Sequence, residues 1–213
     1  MALLAGLALL GACAHPEPPV DPEVWQAAAY RSAGPAEIAL VTNINNRTGR
    51  GAHSALIIDG PERVVFNPFG TWSYPDAPER GDVHRNFTPV MENWFIDYHA
   101  RETYRVQVQR VRVPPEVAAE ALRRAMAYGA VGPARCTIAV SRVLHGLPGF
   151  EDFPVVLYPD RARDNFARIP GVESTIYVDD SPGDWSDLRD GRYGNSTVQA
   201  VPEQSIAVAV RRR

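Results

Sequence analysis

The chain has 213 residues, 22 of them basic and 25 acidic, for a formal net charge of −3, and 45 % of it is hydrophobic. That length suits one domain with a real core rather than two. No long run of one sign occurs except Arg211-Arg212-Arg213, which reads as a solvated tail, so nucleic-acid binding is excluded as the main role. An HExxH pair, a closely spaced Cys/His set, a G-x-S-x-G elbow and a P-loop Gly-Lys-Ser are all missing, so neither a metal centre nor a cofactor is expected.

Residues 2–12 (ALLAGLALLGA) form an uncharged apolar run that ends at Cys13. The run is shorter than the roughly 20 apolar residues a helix needs to cross a bilayer, and it fits the apolar region of a signal peptide. Leu10-Gly11-Ala12-Cys13 resembles the bacterial lipobox, although no Lys or Arg stands between Met1 and the apolar run. The resemblance implies cleavage before Cys13, acylation of its thiol with palmitate-type chains, and anchorage at a membrane surface. The alternative is an ordinary signal peptide or a buried N-terminal helix. Ala14, where an aspartate would signal retention at the inner membrane, implies the outer membrane facing the periplasm. Residues 13–23, with His15-Pro16-Glu17-Pro18-Pro19, read as a Pro-rich tether. Residues 24–213 read as a single domain, with a C-terminal extension from about residue 150.

Within that domain, Val24 to Tyr30 predicts a short helix closed by Ser32 to Pro35. Glu37 to Thr42 predicts a buried strand, Asn43 to Gly51 a polar loop, and His53 to Ile58 a second strand. Asp59-Gly60-Pro61 is a turn signal, which makes Arg63 to Pro68 the partner strand of a hairpin. Phe69 to Val83, rich in Gly, Pro and Asp, predicts a long loop carrying Trp72 and Tyr74. Met91 to His99 predicts a helix, and the alternation over Thr103 to Val113 a half-buried strand. Pro114-Pro115-Glu116 opens the clearest helix, which Gly129 stops, and a further helix is expected from Arg135 to His145. Beyond Gly149 the strand candidates are Pro154–Leu157, Ser174–Val178 and Ser205–Val210.

With Cys13 lipidated, Cys136 is left with no partner inside the chain. A lone Cys reads as a small buried hydrophobe or as a reactive thiol. Its place in the first turn of a helix favours the thiolate through unsatisfied backbone N–H groups and the helix dipole. The same N–H groups suit an oxyanion formed in acyl transfer. Such a thiol needs a His base, and that base needs a third polar group to orient it. His53 begins a strand next to a glycine-containing loop. Asn67 ends the adjoining strand, and six residues lie between each of them and Gly60, so an antiparallel hairpin brings them close to facing each other. A structural strand histidine and an ordinary turn asparagine are the plainer readings of these two residues. His99 and His145 read as satisfied helix-end histidines and His84 as a loop residue.

Gly51-Ala52-His53-Ser54-Ala55-Leu56, Phe66-Asn67-Pro68-Phe69-Gly70 and Arg135-Cys136-Thr137 together resemble the circularly permuted papain-like hydrolases. That superfamily includes the NlpC-type cell-wall amidases and peptidases and the lecithin retinol acyltransferase-like enzymes. The resemblance covers roughly residues 37–147, and His53 precedes Cys136 by 83 residues, the order of permuted members. It implies an α+β domain with an antiparallel sheet packed against helices, Cys136 as nucleophile, His53 as base and Asn67 as the orienting residue. It also implies a thiol amidase, peptidase or acyltransferase of the cell envelope acting on peptidoglycan peptides. Arg135 departs from the pattern, since an Asn often precedes the Cys in such relatives; a guanidinium there could lower the thiol pKa or bind a substrate carboxylate. Trp72 is expected to line a substrate groove or to pin its loop to the core. The alternative to an enzyme is a lipid-anchored binding or structural protein of the same fold with a buried Cys136.

Overall fold

The computed structural model describes residues 20–185 and 198–201. The leader, Cys13 and most of the tether therefore lie outside the described residues, as does the strand expected at Ser205–Val210. No helix among the described residues is long and apolar enough to cross a membrane.

The architecture is mixed α and β, built on one antiparallel sheet. Its strands are β1 (Glu37–Asn45), β2 (Gly51–Asp59), β3 (Arg63–Phe66), β4 (Glu79–Arg80), β5 (Val83–His84), β6 (Tyr104–Arg112), β7 (Glu173–Val178) and β8 (Gln199–Val201). They lie in the order β4-β5-β3-β2-β1-β6-β7-β8. Among the described residues, five helices accompany them: α1 (Pro22–Ala27), α2 (Pro89–His99), α3 (Pro115–Tyr128), α4 (Cys136–Leu144) and α5 (Pro159–Phe166).

Both faces of the central strands are covered, which is why they read as unbroken apolar runs rather than clean alternations. Ile38, Leu40, Leu56, Ile58, Val64 and Phe66 pack with α3, α4 and α5 on one face. Ala39, Val41, Ala55, Ile57, Val65, Val106 and Val108 pack with Met91, Phe95 and Ile96 of α2 on the other. The half-buried strand expected at Thr103–Val113 is thus covered on both sides: Gln107 and Gln109, its polar alternates, are buried, and the Gln107 amide donates to Ser174 Oγ at 2.9 Å.

Other expectations need correction. β1 runs on through Asn43 to Asn45 because it is a central strand, paired with both β2 and β6, and the ladder on each side outweighs the turn preference of Asn. The stretch from Phe69 to Val83 is not all loop: β4 and β5 pair at its end, and His84 is buried in β5 rather than held in a loop. No strand forms at Pro154–Leu157; the chain turns instead into α5, which Pro159 and Asp160 open with a fixed φ and an acid in the first turn.

One buried ionic cluster ties α2 across the sheet. Glu92 accepts from Arg63 of β3 and from Arg110 of β6, while Arg63 also reaches Asp59 at 3.1 Å and the Phe87 carbonyl at 2.8 Å. Glu92→Gln keeps the shape but removes the charge that two guanidiniums share. We expect it to lower stability by about 2 kcal/mol in urea unfolding. An unchanged midpoint would show that Asp59 and Glu37 suffice for the two arginines.

Candidate active site

The site forms where β3 ends early. β3 stops at Phe66, opposite Leu56, so the His53–Ser54 stretch of β2 has no strand partner on that side. The N-terminus of α4 fills the gap: Thr137 Oγ1 lies 3.3 Å from Ser54 Oγ beneath the sheet, and Cys136 is the first residue of the helix. A bulge in β2 at Ala52, where the register slips between the pairs Asn43–His53 and Ile44–Gly51, immediately precedes His53. Bulges of this kind re-aim the adjoining side chain. Just before it, Gly51 donates its N–H to Asp160 Oδ1 of α5 at 2.7 Å. A Cβ on Gly51 would come within 2.6 Å of Pro159 Cβ, so only glycine lets the two elements meet there.

Asn67 Oδ1 lies 2.7 Å from His53 Nε2. The ladder, continued past Phe66, sets Asn67 opposite Ala55 rather than His53, so this is a diagonal contact on the α2 face. An amide oxygen can only accept, so Nε2 carries the proton and the neutral ring keeps its lone pair on Nδ1. His53 and Cys136 line the same cleft, and with Nε2 engaged by Asn67 it is Nδ1 that is left for the thiol. Burial alone would push that thiol up. The neighbouring His53, the Ser54 backbone N–H and the Thr137 hydroxyl outweigh it and bring the thiol down from 9.0 to about 7. Arg135 makes no side-chain cap to α4, so the first backbone N–H groups of the helix are not satisfied from that side chain.

The structure thus brings together Cys136, His53 and Asn67. Arg135, expected to contact substrate, is exposed at the N-cap beside the thiol. Trp72, expected either in a groove or in the core, is 2 % exposed and packs edge-on against His84, Phe87 and Phe95; it belongs to the core beneath α2. A cleft of about 310 Å³ opens over the thiol, lined by Phe69, Tyr98, Tyr104 and Trp185 besides His53 and Cys136. No carboxylate lines it.

Three supporting residues escaped the sequence reading. His99 is no mere helix-end residue: its ring stacks on that of His53, with centroids 6.0 Å apart and planes 9° from parallel. Its Nδ1–H donates to the Phe95 carbonyl at 2.7 Å, and burial together with the His53 charge pulls its pKa down to about 3, so it stays neutral beside the base. Asp82, buried and with φ 65°, accepts from the backbone N–H groups of Phe69 at 3.1 Å and Val131 at 2.9 Å. It so staples the loop after Asn67 to the loop leading into Cys136, while burial raises its own carboxyl pKa against those two bonds. Gly70 makes room for the Asn67 amide, which occupies the space its Cβ would take. His145 is satisfied as expected, with Nδ1 bonded to the Phe153 carbonyl at 2.7 Å.

No group of three or more His, Cys, Asp or Glu among the described residues is arranged to hold a metal ion. No protein family, curated protein or solved structure matches the chain.

Proposed function

We propose that the chain is a thiol-dependent acyl hydrolase or acyltransferase of permuted papain-like type. The observation that carries this is the 2.7 Å hydrogen bond from His53 Nε2 to Asn67 Oδ1 in a cleft that His53 shares with Cys136, the first residue of α4. His53 Nδ1 takes the thiol proton and Sγ attacks the carbonyl carbon of an amide or ester. The resulting oxyanion accepts from the Cys136 N–H. As the intermediate collapses, the bond to the leaving group breaks and the imidazolium returns its proton to the departing nitrogen or oxygen. That leaves a thioester on Cys136. Water, or an acceptor alcohol or amine, then attacks the thioester and gives its proton to Nδ1; collapse releases the acyl product and restores the thiol. Asn67 holds the tautomer this cycle needs.

The lipobox-like Leu10-Gly11-Ala12-Cys13 supports a place in the bacterial envelope, tethered by acyl chains on Cys13. With that location, and with the resemblance of the segments around His53, Asn67 and Cys136, amide bonds of peptidoglycan peptides are the substrate we favour.

The test is the pH dependence of iodoacetamide labelling at Cys136 in the full chain and in His53→Ala. In the parent protein labelling should rise through a midpoint near 7. Without His53 burial dominates, and the thiol should titrate at or above its ordinary 9.0. At pH 7 the thiolate fraction then falls about 50-fold, offset about eightfold by the greater nucleophilicity of a more basic thiolate, for a net loss of roughly sixfold. Labelling that is absent in the native protein, or indifferent to the loss of His53, overturns the reading.

A further inference from the structure

The cleft holds a polar side chain that the mechanism so far leaves unused. Asn43 lies on β1 as the register partner of His53, so both project from the same face of the sheet. His53 has Asn67 on its β3 side and Asn43 on its β1 side. Asn43 is only 8 % exposed, yet its side chain has no hydrogen-bond partner among the described residues. Its polar atoms are not sealed in protein either, because Asn43 lines the cleft together with His53 and Cys136. The amide is therefore open to a partner that enters the cleft.

The chemistry of the site says what that partner is. A tetrahedral oxyanion forms one hydrogen bond to the Cys136 N–H and has lone pairs left over, and effective sites aim further donors at it. An asparagine amide supplies two N–H donors and no charge, so it disturbs neither the thiolate nor the imidazolium. Arg135, the cation next to the thiol in sequence, is exposed at the helix cap and does not line the cleft, and Arg101, which does line it, is paired with Asp97 at 3.6 Å. We propose that Asn43 is a catalytic residue that donates its amide N–H to the acyl carbonyl oxygen of the bound substrate and holds it as the oxyanion forms. This rests on the reading of Cys136 and His53 as nucleophile and base.

Two reagents separate the two claims. A methanethiosulfonate reacts with the thiolate through sulfur, releasing a sulfinate and leaving a disulfide, with no carbonyl involved. 4-Nitrophenyl acetate reacts through a carbonyl: Sγ adds to it, the oxygen becomes an alkoxide, and the bond to 4-nitrophenolate breaks to leave an acetyl thioester on Cys136. Both are measured as second-order rates on the full chain at pH 7 in the parent, Asn43→Ala, Asn43→Ser and His53→Ala. We expect Asn43→Ala to react with the thiosulfonate within about threefold of the parent, but to acylate on the order of 10²-fold more slowly. Asn43→Ser, which keeps a donor, should recover part of that loss. Normal thiosulfonate reactivity with acylation also within threefold overturns the role of Asn43. So does a parent thiol that reacts with the thiosulfonate and not with the ester. A thiosulfonate rate that His53→Ala leaves unchanged instead overturns the nucleophile and base themselves.

Discussion

Gly70→Ala is expected to lower turnover of an activated aryl ester on the order of 10²-fold, although Gly70 has no group that could take part in chemistry. The reason is occupancy. A Cβ built on Gly70 falls 1.9 Å from Asn67 Nδ2, 2.2 Å from Cγ and 2.3 Å from Oδ1, so methyl and amide cannot coexist. Gly70 also donates its N–H to the Asn67 carbonyl at 2.9 Å, closing the turn that carries the amide to His53, and the loop has little freedom to yield. Phe69 within it already has φ 56°, held there by its bond to Asp82. The Asn67 side chain must then leave Nε2, and the base loses the tautomer that points its lone pair at the thiol. Overpacking of this kind should also cost about 1–3 kcal/mol of stability. Pairing the change with Asn67→Ala tests the explanation: the double variant should regain stability relative to Gly70→Ala alone and regain no turnover. Strictly additive stability costs, or a Gly70→Ala protein with parental turnover, would show that the amide and the new methyl do not compete.

The elements that surround this site were unevenly legible in the sequence. α3 could be read because its ends carry chemistry of their own, Pro115 and Glu116 at its start and Gly129 at its stop. The hairpin was legible from Asp59-Gly60-Pro61, and with it the meeting of His53 and Asn67. Equal spacing from Gly60 set them face to face, whereas the register makes the contact diagonal, because the turn does not centre on Gly60 and Asn67 has already left the ladder. The approach of Cys136 could be expected only by resemblance: it depends on where α4 packs, which no local pattern encodes. α5 stayed hidden because it is only eight residues long in a Pro- and Asp-rich stretch, although Pro159, Ala162 and Phe166 do fall on one helical face. Trp72 and Asn43 show the limits of residue type as a guide. An aromatic in a Pro/Gly-rich loop goes where there is a cavity for it, here beneath α2, and an asparagine after an apolar run reads as a turn until a strand is found pairing on each side of it.

Acidification should weaken the fold by about 4 kcal/mol between pH 7 and pH 5, and two buried histidines account for it. Burial disfavours the charged ring at both positions, so His84 titrates at about 4 and His99 at about 3 in the folded chain, against 6.5 for an ordinary histidine. Above 6.5 neither state is protonated and the stability is complete. Below it the unfolded chain binds two protons that the folded chain refuses, so stability falls as the pH drops toward 4. At 1.36 kcal/mol per pH unit for each group, 1.5 units below 6.5 amount to about 2 kcal/mol per histidine. Urea unfolding at the two pH values measures the sum, and His84→Gln or His99→Gln should each remove about half of it. A stability that is flat from pH 7 to pH 5 would mean that the rings take up protons without unfolding. The loss of thiolate comes earlier on the same axis, because Cys136 titrates at about 7. Reactivity should therefore fall reversibly between pH 7 and pH 6 while the fold is still intact, and restoring the pH should restore it. His99 connects the two effects: as a neutral ring stacked on His53 it leaves room for the positive charge that the base takes up in each cycle, and the cost of keeping it neutral is sensitivity of the fold to acid.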